Sequence, residues 1–453
     1  MNIKLTSRVS KPIETRMDES VDNLLERKIA LLLKTGQLLI ESMADSNRID
    51  RNMRRVVLFM GIPADKFHMH LSYTTLMINI NGVHTSTTRF QKCRYHAANL
   101  DMLAKLSTLS WQALEQNFTL AQYEAALNQI IETKKLYPRW LVILAVGLAC
   151  GSFCKLFGCD WPAFGITSIA ASGALFVRQT LHKYHYNGFL NVAVSAFFAV
   201  LIAGFSTLFD ISTTPHHPVF ASVLFLIPGL PIINSVDDMI DGYTIVGFTR
   251  ALIVSITIGA IAFGMIFALK LLQINDYSAI LLSKNSLFMV GLSGAMAAGG
   301  FAIFFNVPIR ALFFCFLGGM IAVVARNILL TKFGVSLPIS SFFGALCVGF
   351  TAVYLAHILK IPANVFAVPA VIPMIPGVLL YKTIIGFLSL DAAMGQAEIP
   401  VFFEAVDSGI NGTLSVLSIA LGIAISSVIG RKYFARSVEE RMNKTLEGHV
   451  TPK

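Results

Sequence analysis

The chain is short of charge. Only 14% of its 453 residues are Asp, Glu, Lys or Arg, and 55% are hydrophobic. A soluble domain carries about 25% charged residues, so the shortage excludes an ordinary soluble protein and leaves a membrane composition. No GxxxxGK[ST] phosphate loop occurs, which argues against ATP-driven transport by this chain. Neither G-x-S-x-G nor HExxH occurs, so the commonest hydrolase and metalloprotease signatures are missing. Six cysteines show no zinc spacing. Cys150 and Cys154 share a helix face, but no His or carboxylate completes a metal set, and with Cys159 they read as small packing residues. No basic stripe carries interleaved aromatics, so the net charge of +10 is no nucleic-acid signature. Residues 1–28 have no apolar signal-peptide core, which predicts a cytosolic N-terminal region. Nothing calls for a metal or cofactor.

The charge that exists is unevenly placed. Residues 1–139 hold 32 of the 62 charged side chains. Within them, 21–43 has helical apolar spacing, and Asp45 or Ser46 is placed to cap a second helix that ends at Gly61-Ile62-Pro63. The stretch MHLSYTTLMININGVHTSTTRF predicts two strands around Asn81-Gly82. Helices follow near 97–115 and 119–135, the second capped by Thr119. This predicts a small cytosolic α+β domain with its own core. Glu41, Ser42, Ser46, His68, His70 and His84 hint at a hydrolase, but His68 and His70 alternate as strand residues do. A gate, a regulator or a homo-oligomer contact is the better reading.

From residue 140, ten apolar segments are long enough for a bilayer, which needs ~20 residues per helix. They lie near 140–158, 161–181, 189–209, 218–236, 244–272, 286–305, 308–330, 337–358, 363–384 and 409–429. An even count places both termini on one side. His182 and Lys183, the Lys/Arg-free loop from Asp210 to His217, and the basic tail at Arg431, Lys432, Arg436, Arg441 and Lys444 favour cytosolic termini. Lys155, Arg326 and Lys332 count against it. Pro228-Gly229 recurs 148 residues later as Pro376-Gly377, and Arg178 as Arg326. Each half has five segments, so the second copy is inverted. The expected fold is thus an all-α polytopic membrane protein of two inverted five-helix repeats behind the α+β domain. The boundaries are 1–139, 140–285, 286–430 and a basic cytosolic tail at 431–453.

Paired segments broken by Gly and Pro in inverted repeats point to a substrate site. Here they are 224–242, with Pro228, Gly229 and Pro231, and 370–386, with Pro373, Pro376 and Gly377. Pro228 falls ten residues into its segment, ~15 Å deep at 1.5 Å per residue and so near the midplane. Pro231 repeats the interruption. Asn234, Asp237, Asp238 and Asp241 then share one helix face. A carboxylate at the bilayer centre costs ~3 kcal/mol and usually marks a substrate or proton path; the alternative is a solvated loop. Asp237 is nearest the break, while Asp241 suits a gate. In the second copy Tyr381 and Lys382 take the matching place, with Lys382 pairing with an aspartate, holding a substrate carboxylate or snorkelling. Asp391, Glu398, Glu404 and Asp407 suit an external vestibule, and Asn411 opens the last span. Arg250 follows Gly242 and either pairs with Asp241 or binds headgroups; Arg178 and Arg326 read as interface anchors. Ser168, Ser172, Ser340 and Ser341 are cavity hydroxyls or tight packing residues.

The order PGLPIIN, Asp237, Asp241-Gly242, Gly247, Arg250 resembles the threonine/serine exporter (ThrE) family. So does KTGQLLIESMADSNRIDRNM, around Gly36, Glu41 and Arg48. IPMIPGVLLYKTIIG and GINGTLSVLSIALGIAI resemble the smaller partner that some members encode separately, so the two-component form looks fused in one chain. The likeness spans about residues 20–430 and departs mildly at Met43–Asn47. It implies proton-driven export of threonine, serine or similar amino acids across the inner membrane, with protons, the bilayer and the amino acid as partners. A passive facilitator, or a membrane-anchored hydrolase or sensor acting through residues 1–139, is the competing reading. On the exporter reading, Asp237→Asn is expected to abolish proton-coupled efflux in a chain that still folds and inserts. Full efflux by that variant would remove Asp237 from the mechanism.

Overall fold

The computed structural model describes residues 13–81, 86–94, 96–274, 286–390 and 398–450, with side chains at 13–22, 387–390, 398–399, 401 and 431–450 excepted. Gly82, His84 and Asp391, all named above, lie outside the described residues, as does the side chain of Glu398.

The N-terminal region packs four helices on a three-stranded sheet. Helix α1 (Ile13–Glu41) leads to α2 (Ser46–Phe59), whose N-cap is Asp45; its carboxylate accepts from Arg48 N. Strands β1 (Phe67–Leu71), β2 (Thr75–Asn81) and β3 (Ser86–Lys92) form an antiparallel meander, with Asn81 opposite Ser86 and Phe67 opposite Ile80. The expected two strands are three. Met69–Leu71 belongs to β1, because the chain turns at Ser72, whose N–H donates to the Thr75 carbonyl. Helices α3 (Leu100–Glu115) and α4 (Leu120–Glu132) follow, and Thr119 and Gln122 form a reciprocal capping box on α4. Leu32, Leu39, Met53, Leu76 and Ile78 are fully buried between helices and sheet. The expected separate core is not there: the buried apolar cluster runs from this region into the helices beyond without a gap.

Those helices are α5 (Arg139–Leu156), α6 (Trp161–Lys183), α7 (Gly188–Leu208), α8 (His217–Ala221), α9 (Gly229–Ile240), α10 (Thr244–Leu271), α11 (Leu287–Phe304), α12 (Ile309–Lys332), α13 (Leu337–Leu359), α14 (Asn364–Val371), α15 (Gly377–Leu390) and α16 (Glu398–Val450). Among the described residues seven helices are long and apolar enough to cross a bilayer, or nine if each of two bent pairs is one span. The seven include residues 402–430 of α16, which continues as helix through the expected tail. Helix α6 is less apolar and is not among them. It nevertheless runs antiparallel along the whole of α5. Arg139 at the start of α5 donates to Gln179 and Thr180 at the end of α6. At the other end Lys155 of α5 lies 4.2 Å over the ring of Trp161, the first residue of α6.

The bent pairs are the Pro-Gly segments. His217–Leu226 and Gly229–Ile240 meet at 57°, Asn364–Met374 and Gly377–Gly386 at 50°. Ile227 and Ile375 are both extended, at φ −61°, ψ 126° and φ −62°, ψ 125°. Pro228 has φ −77°, ψ 62°, and Gly229 N–H donates to the Ile227 carbonyl at 2.8 Å, an inverse γ-turn. Gly377 N–H repeats that bond to Ile375 at 2.8 Å. Pro231 was expected to add a second interruption. It sits instead in the first turn of α9, where its missing N–H has no helical partner to lose. Pro373 lies in the short 3-10 turn Ile372–Met374.

The two breaks face one another. A Cβ on Gly229 would lie 2.5 Å from Ile372 Cδ1, and one on Gly377 2.0 Å from Ile227 Cδ1. Between them Phe153 and Phe301 meet edge to face at 5.9 Å. The partners Phe153/Phe301, Leu224/Ile372 and Ile227/Ile375 are each 148 residues apart in sequence. The space they enclose is about 10 Å³ and apolar, so it stays dry. Arg326, expected at the interface, donates from Nη1 to the Met374 carbonyl at 3.0 Å, satisfying backbone freed by the second break. It is therefore bound to backbone within the protein rather than anchored at the interface. Gly377→Ala is expected to destabilise the protein by about 1–3 kcal/mol through overpacking, and Ile227→Ala in the same chain to restore most of it. Thermal unfolding of both variants in detergent checks this; strictly additive losses would refute the contact.

Candidate functional site

The polar face of α9 does not point into the breaks. It lies under the amino end of α2. The first four N–H groups of a helix have no partner within it and carry a partial positive charge. Asp45 caps one of them, at Arg48 N. Asp238 caps another from across the molecule: its Oδ1 accepts from Ser46 N at 2.8 Å. Asn47 Nδ2 donates to Asp241 Oδ2 at 2.6 Å, and Asn234 Nδ2 donates to the Met43 carbonyl at 2.9 Å. The turn from Met43 to Asn47 is thus held along Asn234, Asp238 and Asp241, three of the four residues expected on one face. Asp237, the fourth and the first choice from sequence, is only partly buried.

Arg250, one turn or two into α10, closes the arrangement. Its Nη2 donates to the Ala44 carbonyl at 2.9 Å. Its Nε lies 3.2 Å from Asp238 Oδ2. This replaces the expected pairing with Asp241 or with lipid headgroups, because Asp241 at the C-cap of α9 faces Asn47. The pair is within ion-pair distance, yet neither Arg250 Nε nor Asp238 Oδ2 is aligned for a hydrogen bond. Both side chains are buried, at 7% and 1% exposure. A buried, half-made ion pair is costly unless other groups complete it.

Around it lies a cavity lined by Ser46, Tyr73, His96, Pro231, Asn234 and Arg250, with Ile40, Ile49, Leu71 and Val246 as apolar walls. Ser46 Oγ, His96 Nε2 and Asn234 Oδ1 are buried with no hydrogen-bond partner. The enclosed volume is about 20 Å³, room for a water and no more than that order of ligand. Burial raises the Asp45 carboxyl, but Arg48 and Arg51 pull it down to about 2. Asp45 also accepts from Asn364 Nδ2 at 3.0 Å, so the same turn reaches α14 in the second half.

A second docking point joins helix ends head to tail. Leu100 N and Asp101 N, at the start of α3, donate at 2.9 Å to the Phe305 and Asn306 carbonyls just past α11. The Asn306 side chain bonds Asn99 Oδ1 at 2.8 Å and Leu136 N at 3.0 Å.

The residues expected in the second copy are elsewhere. Tyr381 is fully buried and donates to the Val223 carbonyl at 3.2 Å, beside the first break. Lys382 pairs with Glu404 at 3.1 Å, a glutamate in place of the expected aspartate. Asn411 donates back to Asp407 one turn earlier, on its own helix. Gly242 takes φ +88° in the α9–α10 turn, which suits glycine. Tyr73, His96, Asn364 and the docking role of Ser46 and Asn47 were not foreseen. A helix-cap signal at Asp45 and Ser46 was visible, but nothing local ties it to α9, about 190 residues on.

Residues 30–272 match the model of the threonine/serine exporter family ThrE, more than half of the chain. The chain belongs to that family. Residues 291–429 match a second model described as Threonine/Serine exporter, ThrE, so both components of the two-part form are present in one chain. The chain is 30% identical over 242 residues to Probable succinate transporter subunit YjjP of Escherichia coli, covering 53% of this chain and 93% of that one. It is 28% identical over 242 residues to the protein of the same description from Klebsiella aerogenes, covering 53% and 92%. An uncharacterized protein of Haemophilus influenzae is 34% identical over 140 residues, covering 30% and 46%. No solved structure matches. The exporter-family segment thus ends where α10 ends, and includes the α2 docking turn, the first break, Asp238 and Arg250. This is a multi-pass membrane protein of an exporter family, not of an enzyme family.

Arg250→Ala leaves Asp238 buried and uncompensated, a loss of about 3–5 kcal/mol. The expected result is proteolytic sensitivity at the Met43–Asn47 turn. Asp238→Asn in the same chain is expected to recover much of the protection; no recovery would mean the two side chains are not energetically coupled.

Proposed function

We propose that this protein is a secondary active exporter of small amino acids of the threonine and serine type, driven by protons. In this reading ten spans form two inverted five-helix repeats, with α6 as the tenth because it follows α5 end to end. Both termini lie in the cytosol at the inner membrane, on the side of residues 1–139. The substrate site is the cluster Asn234, Asp238 and Arg250 at the cytosolic end of the first broken span.

The observation that carries this is the half-made pair of Asp238 with Arg250, whose arginine lines a cavity where other buried polar atoms lack partners. An amino acid is a zwitterion. Its ammonium complements the Asp238 carboxylate and its carboxylate the Arg250 guanidinium, so binding exchanges one internal pair for two complete ones. The described conformation is closed, since 20 Å³ does not hold an amino acid. The Met43–Asn47 turn is the cytosolic plug. Five hydrogen bonds hold that turn, to Asn234, Asp238, Asp241, Arg250 and Asn364. At roughly 1 kcal/mol net each, substrate binding can supply the opening energy. Asp238 is the proton carrier in preference to Asp237, because gaining a proton and losing its Arg250 contact are linked. The Lys382–Glu404 pair, on the matching helix of the other half, is the gate on the far side.

A dicarboxylate substrate is the second reading, favoured by the description of the Escherichia coli relative as a succinate transporter subunit. It is the weaker one here, since the one guanidinium that lines the cavity, Arg250, already faces the Asp238 carboxylate, which repels a second anion. Cells loaded with labelled threonine or labelled succinate, with and without the chain, decide between them. The expected outcome is threonine efflux against its gradient, abolished by an uncoupler and cut at least about tenfold by Asp238→Asn. Efflux that survives the uncoupler would make the protein a facilitator, and succinate efflux alone would replace the amino-acid reading.

A further inference from the structure

His96 belongs to the N-terminal region in sequence, yet it lines the cavity at Arg250, with its Nε2 buried and unpartnered. The ring is fixed twice. It stacks on Tyr73, with centroids 4.2 Å apart and planes at 25°. It also interacts with the backbone of Ile40. A neutral imidazole carries one ring hydrogen, and with that hydrogen on Nδ1 the unpartnered Nε2 presents a lone pair. Burial lowers the imidazole below its usual range, and Arg250 across the cavity lowers it further, against the raising effect of the Ile40 bond. The neutral tautomer is therefore the one that faces the cavity.

From this geometry we infer that His96 is a specificity-determining residue that accepts the hydrogen of a substrate hydroxyl. The inference rests on the amino-acid reading above and adds to it which residue reads the side chain. With carboxylate on Arg250 and ammonium on Asp238, the donor left on a serine or threonine is its hydroxyl. Within the cavity the unpartnered acceptors are Ser46 Oγ and His96 Nε2 on the N-terminal region's wall and Asn234 Oδ1 on α9, and of these His96 Nε2 belongs to the ring held against Tyr73. Ile40, Ile49, Leu71 and Val246 supply an apolar wall for a methyl group. The soluble region is then part of the selectivity site. A pocket with a dedicated hydroxyl acceptor rejects an analogue without the hydroxyl far more strongly than an apolar pocket distinguishes shapes.

The test uses the full chain in proteoliposomes, with labelled threonine and labelled 2-aminobutyrate, which is threonine's carbon skeleton with hydrogen in place of the hydroxyl. The wild type is expected to prefer threonine by about 100-fold or more. His96→Ala is expected to reduce that ratio at least about tenfold by slowing threonine and leaving 2-aminobutyrate unchanged. His96→Gln, which keeps an acceptor oxygen, is expected to retain most of the preference. An unchanged ratio in His96→Ala, or equal loss of both substrates in both variants at normal membrane levels, would overturn the inference. Wild-type transport of both amino acids at equal rates would overturn it while leaving the exporter reading intact. Transport of neither would overturn both.

Discussion

Helix amino ends need negative partners, and this protein meets two of them at the boundary between its N-terminal region and the helices beyond residue 139. The amino end of α2 rests on Asp238, and that of α3 on the carbonyls that follow α11. Each contact satisfies groups that would be orphaned on both sides, so neither half of the boundary is complete alone. The first lies on α9 and the second just past α11. The N-terminal region therefore straps these two parts of the chain together, and Asp45 with Asn364 of α14 adds a third tie. Any rearrangement that moves one part against the other must break these bonds first.

The opposing constraint sits between the breaks. Gly229 and Gly377 let the two γ-turns approach to the limit that a side chain would forbid, each against an isoleucine of the other. The contact is apolar and dry, with Phe153 and Phe301 sealing it. Freed backbone is satisfied by fixed partners: Arg326 at Met374, and Tyr381 at Val223. The breaks are thus a bearing, and the polar chemistry lies beyond Pro231, where α9 leaves the contact and meets α2. Chemistry at the matching positions differs, with Asn234 replaced by Lys382. The strap covers one of the two faces, so like scaffolds present unlike ends.

Much of this was legible. Apolar runs located every helix beyond residue 139, since burial in lipid requires long uninterrupted segments. The Pro-Gly pairs located both bends, because proline cannot donate and glycine tolerates the close approach. Pitch placed Asn234, Asp238 and Asp241 on one face. The partner of that face was not legible. The midplane depth argument aimed it at the breaks, while α2 claimed it instead. Pro231 looked disruptive in a continuous helix and is harmless in one that begins at Gly229. Arg326 looked like an anchor because a lone Arg near a helix end usually snorkels, whereas here a freed carbonyl lies within its reach.

The sequence by itself determined the class of molecule, the positions of its helices and bends, its 148-residue internal echo and, through PGLPIIN and its neighbours, its family. These are local properties, set by periodicity, propensity and the cost of exposing backbone in lipid. Only the tertiary structure decided that Asp238 rather than Asp237 meets Arg250, that Ser46 and Asn47 seal the face, and that His96 and Tyr73 join it. Apart from Asp238 and Arg250, which are 12 positions apart, those pairings connect residues about 140 to 200 positions apart. They depend on which helix end happens to lie opposite which carboxylate once the chain is packed, and no periodicity along the chain encodes that.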